Sequence, residues 1–227
     1  MASDFENESR NVQVNKGESE ITDTQSNSLQ HMNDSVGEIN KVLDFIVEIE
    51  KLKQVHRKTK PVGLDRYENS AEHSWHVCLS ALMLKDYADE PIDINRVVRM
   101  LLIHDLGEID AGDKIIYESE TAEQKAKEEA GVWRILSMLP GEPKEYLQLW
   151  REFEAGESAD SKYARAIDRV PPLLHNLHGD GHGWRQNNIS SDTVLNLNAR
   201  IGLGSQSLWR VIKSKLHKAK EQGIFGG

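Results

Sequence analysis

Arg99-Met100-Leu101-Leu102-Ile103-His104-Asp105-Leu106-Gly107-Glu108-Ile109-Asp110-Ala111-Gly112-Asp113 joins an apolar run to a cluster of ionisable groups. Met100 through Ile103 read as part of a core helix. His104, Asp105, Glu108, Asp110 and Asp113 crowd its end. Such groups are costly to bury unless they are paired or bind a metal ion. Chemistry is therefore expected where this helix stops.

The pattern around this stretch is helical almost throughout. Asp93, after Pro91-Ile92, can cap a helix over residues 94–106, and Gly107 ends or loosens it. Upstream, Ile39, Val42, Leu43, Ile46, Ile49 and Leu52 form one amphipathic stripe, and residues 71–88 form a second helix. Downstream, a charged helix over 121–138 stops at Pro140-Gly141-Glu142-Pro143. Tyr146, Leu149, Trp150 and Phe153 mark the next, and Tyr163, Ile167, Val170, Leu174 and Leu177 mark another over 161–177. Gly179 to Gly183 read as a loop, and shorter helices near 191–199 and 205–221 follow. Alternating strand patterns are scarce, so the fold class is all-α.

Residues 1–36 are expected to be a disordered acidic and polar tail, and 37–227 a single domain. Over residues 1–35 seven acids face two bases, so the segment carries −5 of the chain's net −9 and too little apolar surface to offset the entropy of ordering. A net charge of −9 argues against a general nucleic-acid binder, which needs a basic footprint. The single cysteine, Cys78, excludes an internal disulfide and fits a reducing cytoplasm; its apolar neighbours make it a small buried hydrophobe rather than a reactive thiol. No basic-then-apolar leader and no long apolar run are present, so neither export nor a membrane is expected.

His73, the pair His104-Asp105, and Asp168 form an ordered set of imidazoles and carboxylates. Phosphate chemistry on a divalent cation needs such mixed ligands, with positions left open for water and substrate. Antiparallel packing of the second and third helices brings the start of one, with His73, beside the end of the other, with His104 and Asp105. Asp168, inside the 161–177 helix, supplies a ligand from another direction; taken alone it would be a surface carboxylate paired with Arg165 or Arg169.

This order resembles the HD-domain metal phosphohydrolases, whose signature is H…HD…D on a helical bundle. Ser70-Ala71-Glu72-His73-Ser74-Trp75-His76, Ile103 through Asp113, Trp150 through Ala155, and Ala166 through Asn176 are similar to the branch containing bacterial 5′-deoxynucleotidases and uncharacterised relatives, over roughly residues 38–222. The resemblance implies His73, His104, Asp105 and Asp168 as metal ligands, Glu108 as an acid/base group near the attacking water, Asp113 as a sugar contact, and a homodimer. From the residues alone, Glu108 either accepts the proton of that water or orients His104, and Asp113 is either functional or an ordinary turn residue. Glu108 also stands where the two-metal cyclic-dinucleotide phosphodiesterases carry lysine, and no histidine lies between His104 and Asp168. A single-metal monoesterase fits better.

A phosphohydrolase also needs a cation on the phosphoryl oxygens. Arg57, in the basic run Lys51–Lys60, and Arg66 are the candidates. Relatives with nucleotidase activity pair this arginine with a tryptophan for the base, whereas Lys58 follows Arg57 here. His76 reads as a packed or surface histidine; His175, His178 and His182 surround the glycine-rich loop as either a second metal site or an ordinary surface. Gly202-Leu203-Gly204-Ser205 is more simply a turn and cap than a phosphate cradle.

The reading is a cytoplasmic phosphohydrolase using one divalent ion (Mn, Co, Fe, Zn, Ni or Mg) on a small-molecule phosphoester. The preferred substrate is a 5′-(deoxy)nucleoside monophosphate. The alternatives are another phosphomonoester, a nucleotide polyphosphate, or a non-catalytic metal-binding HD module.

Overall fold

The computed structural model describes residues 34–117 and 121–225. The chain divides into two compact units, residues 1–40 and 41–227. In the first, residues 34–40 are helical; the rest of the segment expected to be disordered, residues 1–33, lies outside the described residues.

In the second unit residues 41–49 are helical and run into a 3-10 turn at Glu50–Gln54. The helices that follow are α1 (Ser70–Leu84), α2 (Ile94–Ile103), α3 (Glu108–Ala111), α4 (Ala122–Leu136) and α5 (Pro143–Ala155). After these come α6 (Ala159–Asp168), α7 (Val170–His178), α8 (His182–Gln186), α9 (Ser191–Asn198) and α10 (Gln206–Glu221). Among the described residues no β-strand forms, and one antiparallel bridge joins His56 to Asn69. The all-α expectation holds.

Local chemistry sets the boundaries that matter for the site. Asp93 caps α2 through its carboxylate, which accepts from the backbone N–H of Asn95 and Arg96. Asn69 starts α1 with a capping box: its side chain accepts from Glu72 N–H while the Glu72 carboxylate accepts from Asn69 N–H. Two expected helices end early. The 94–106 helix stops at Ile103, a turn over 104–107 follows, and α3 then begins at Glu108. The 161–177 helix breaks at Arg169, because Pro171 and Pro172 lack the N–H groups that would continue the ladder. Asp168 is therefore the last residue of α6 rather than a mid-helix carboxylate.

α1, α2 and α6 pack on one another around Val77, Met100, Leu101, Tyr163 and Ile167, with Ile135, Leu136 and Trp150 from α4 and α5 closing the core. A second apolar cluster, with Trp184, Val194, Ile201 and Leu216, lies on the side of α7. In the 41–49 helix the face on the core is Phe45 and Ile49, while Leu43, Ile46 and Val47 are exposed. The expected stripe is thus rotated. Among the described residues no helix is long and apolar enough to cross a membrane.

Candidate metal centre

The start of α1, the end of α2 and the end of α6 converge at one point. His73 sits in the first turn of α1, completely buried, and its Nε2 lies 2.9 Å from Asp168 Oδ1. His104 follows the last residue of α2; its Nε2 is 3.0 Å from Asp105 Oδ1 and 3.4 Å from Asp168 Oδ1. All four sequence-derived ligand residues are thereby brought together. The mixed donor set of two imidazoles and two carboxylates suits a divalent transition metal.

The imidazole of His104 is aimed by its surroundings. Its Nδ1–H donates to Leu101 O at 2.7 Å, which leaves Nε2 facing the cluster. Trp150 Nε1 donates to His104 O at 3.0 Å, and the Phe153 ring meets the imidazole edge-on at 5.2 Å between centroids. His104 Nε2 is buried without a hydrogen-bond partner of its own among the described residues. A buried lone pair directed at two carboxylates is what a cation site requires, so the residues present fit a divalent ion.

Electrostatics without the ion show the same strain. Burial opposes a charged His104, but Asp105 and Asp168 outweigh it and push its pKa up to about 9. Burial likewise opposes a charged Asp168, yet the imidazoles of His104 and His73 beside it hold it well below the ordinary carboxylate value. Glu108 behaves oppositely: burial and then Asp105 raise its pKa well above the usual range. Ser70 Oγ donates to Glu108 Oε2 at 2.6 Å, fixing that carboxyl although the α2 helix does not continue to it. Gly107 permits this turn, since a Cβ there would stand 2.5 Å from Glu128 O. Gly112, at φ +79°, then turns the chain so that Asp113 faces inward, and burial raises the pKa of Asp113 as well.

Arg57 lies among these acids. Its Nη1 is 2.7 Å from Asp105 Oδ2, 3.7 Å from Asp113 Oδ1 and 3.8 Å from Glu108 Oε1, and its Nε is 3.7 Å from Glu68 Oε2. Burial works against its charge, but Asp105, Glu108 and Asp113 hold its pKa above the ordinary value. The backbone pairing of Arg57 N–H with Glu68 O (2.8 Å) and Glu68 N–H with Thr59 O (2.9 Å) delivers both residues to this place. Arg66, by contrast, is exposed, pairs through both Nη atoms with Glu72, and does not line the cavity.

Glu68 is a site residue that the sequence reading missed. It is buried, lies 3.5 Å from His73 Nδ1 and 3.7 Å from His175 Nδ1, and faces Arg57. Burial opposes its ionisation, yet His73, His175 and Arg57 keep its pKa low. Glu68 thus sets a negative charge behind the distal nitrogen of the His73 imidazole, without a hydrogen bond to it. His175 belongs with Glu68 and His76, whose ligand-type atoms all lie within 4.8 Å, rather than with His178 and His182. The only sequence signal near Glu68 was the Asn69-x-x-Glu72 capping box beside it. Lys58 lines an adjoining cleft whose apolar wall is Ile115, Ile116, Pro172, Leu173 and Trp184.

Comparison with known proteins agrees with this geometry. A family model described as HD domain matches residues 49–209. A solved structure from Magnetospirillum magnetotacticum, described as a predicted metal-dependent phosphohydrolase, superposes with a TM-score of 0.78 and 39% identity over 84% of this chain and 99% of that one. A Pyrococcus furiosus protein of 20% identity, covering 79% of this chain and 99% of that one at a TM-score of 0.50, shares the fold alone. The human 5′-deoxynucleotidase HDDC2 is 29% identical over 136 residues, which is 59% of this chain and 65% of that protein. The Saccharomyces cerevisiae 5′-deoxynucleotidase YGK1 is 27% identical over 143 residues, 60% of this chain and 65% of that protein. The chain thus spans somewhat less than two thirds of these curated relatives.

Proposed function

The chain belongs to the HD-domain family, and from that premise we propose that it is a divalent-metal-dependent phosphomonoesterase acting on 5′-(deoxy)nucleoside monophosphates, releasing nucleoside and phosphate. The observation that carries the reading is the convergence of His73, His104, Asp105 and Asp168 beside a buried carboxyl of raised pKa, Glu108. The curated 5′-deoxynucleotidase names of the human and yeast relatives support the substrate class.

His73, His104, Asp105 and Asp168 would hold one ion, with Mn, Co, Fe, Zn, Ni and Mg all compatible with the donor set. A bound divalent ion supplies a Lewis acid for the phosphoryl oxygen and lowers the pKa of water. The chain's own contribution is positional. Glu108, anchored by Ser70 and held above the ordinary carboxyl range by burial and by Asp105, would take the proton of the attacking water and return it to the leaving oxygen. Arg57 keeps Asp105, Glu108 and Asp113 together despite their mutual repulsion. The apolar cleft walled by Ile116, Pro172 and Trp184 offers the nucleoside a dry surface, in place of the tryptophan that Lys58 displaces. Asp113, inward-facing beside Arg57, would accept a hydrogen bond from a sugar hydroxyl.

A cytoplasmic homodimer is part of this reading. Cys78, buried as a free thiol, is compatible with a reducing compartment. Trp75, Leu79 and Met83, spaced along one exposed face of α1, supply an apolar surface for a second copy.

Phosphate release from a panel of nucleoside monophosphates and other phosphoesters, with Mn, Co, Mg or Zn added to metal-stripped protein, tests the proposal. Deoxynucleoside monophosphates should be hydrolysed only with metal, and Asp105→Ala should abolish turnover. Full activity in Asp105→Ala would refute the metal site. Metal binding without turnover on the whole panel would favour a non-catalytic module.

A further inference from the structure

We infer that Arg169, with Arg200 at the rim, binds the phosphoryl oxygens in this cavity and forms its subsite for a phosphate dianion. The inference rests on the phosphomonoesterase reading above but not on which nucleotide is cleaved.

The arginines considered for the phosphate differ in what already holds them. Arg57 spends Nη1 and Nε on carboxylates. Arg66 is tied to Glu72 outside the cavity. Arg165 donates through Nη1 to Phe153 O at 3.0 Å and Glu154 O at 2.8 Å, and lies 3.8 Å from the Glu154 carboxylate. Arg169 differs. It lines both the metal cavity and the apolar cleft, and among the described residues its one side-chain hydrogen bond is Nη1 to Leu197 O at 3.2 Å. The carboxylate beside it in sequence, Asp168, is held by His73 and His104. Arg200, itself exposed, lines the same cavity from the 3-10 segment Ala199–Leu203. Among the described residues neither Arg169 nor Arg200 forms an ion pair.

Burial opposes the charge of Arg169; Asp168 favours that charge, and Arg165 and Arg200 lie near enough to oppose it. Like charges gathered at a cavity wall are unfavourable until an anion enters. A guanidinium with most of its donors unused is suited to a phosphate dianion, which it meets with two parallel hydrogen bonds. The alternative role for Arg169 is to brace the α6–α7 junction against α9 through Leu197 O. That role predicts lost stability and nothing more.

The test titrates inorganic phosphate into the metal-loaded full chain by calorimetry, and measures KM and phosphate inhibition for a hydrolysed nucleotide. Arg169→Gln should weaken phosphate binding and raise KM by about tenfold or more, with Arg169→Lys intermediate because a point charge replaces a fork. Arg200→Gln, which leaves the Leu197 bond intact, should weaken phosphate by roughly two- to fivefold at low salt, the difference vanishing at high salt. Arg210→Gln, exposed and off the cavity, is the control for general charge. If Arg169→Gln and Arg200→Gln both kept phosphate affinity and KM within about twofold of the parent, the subsite would be refuted, even if Arg169→Gln melted earlier. If the parent bound phosphate through Arg169 but hydrolysed no phosphoester, the enzymatic reading would fail and the anion subsite would stand.

Discussion

Arg57→Met would replace the buried guanidinium by an apolar chain of similar length and leave Asp105, Glu108, Asp113 and Glu68 without their shared cation. All four carboxylates lie within 2.7–3.8 Å of an Arg57 nitrogen, and the Arg57 side chain is only 12% exposed. Removing one partner from a buried charge network costs about 3–5 kcal/mol, because the remaining charges are left uncompensated. In a domain of this size that corresponds to a melting temperature lower by on the order of 10 °C. The loss should depend on pH in a definite direction. Burial and then Asp105 already raise the Glu108 pKa, burial raises that of Asp113, and Arg57 is the nearby charge that restrains both. Without Arg57 both rise further. The native variant then keeps protons that the unfolded chain has released, so its stability falls as pH climbs from the ordinary carboxyl range towards the raised native values. Denaturant titrations of metal-free parent and variant should show a larger deficit near about pH 8 than near about pH 5. Divalent metal should recover part of it by binding the native acids. A deficit under about 1 kcal/mol, or one that shrinks as pH rises, would refute the view of Arg57 as the internal counter-ion of the site.

Three further outcomes test separate parts of the structure. Gly107→Ala should destabilise the protein by about 1–3 kcal/mol, because its Cβ would press on the Glu128 backbone at 2.5 Å; a denaturation midpoint equal to the parent's would contradict the tight α3–α4 approach. Glu108→Gln should lower kcat by about 10²–10⁴-fold while bound metal, measured by elemental analysis, stays at the parent level; loss of metal instead would make Glu108 a ligand rather than a proton acceptor. Cys78, whose pKa burial pushes up to about 11, should react with iodoacetamide at mildly alkaline pH roughly a hundredfold more slowly in native than in unfolded protein. Rapid native labelling would show that the α1 core opens more readily than its packing implies.

The features legible from the sequence are those that local pattern determines. Asp93 announces α2 because a side-chain cap acts over three residues, and Met100 to Ile103 announce a core because one helix face needs no distant partner to be recognised. The four ligand residues were legible as a chemical set, yet Asp168 was placed in the middle of a helix that Pro171 and Pro172 in fact divide. That break decides the geometry, since it puts the carboxylate at a helix end where it can meet imidazoles from two other helices. What stayed hidden is the balance of charge between elements far apart in sequence. In the sequence Arg57 reads as a phosphate clamp, and Arg169 stands out only as a neighbour that Asp168 would pair with if it were not a metal ligand. In the folded chain Arg57 bonds an acid 48 positions away, while Asp168 turns to His73, 95 positions away, and leaves Arg169 without a carboxylate partner among the described residues. Adjacent residues on a helix point about 100° apart, so sequence neighbours are poor predictors of ion pairing. The roles of the two arginines therefore follow from which carboxylates the fold assigns to each: Arg57, the clamp candidate of the sequence, is held among acids, and Arg169 is left to meet an anion.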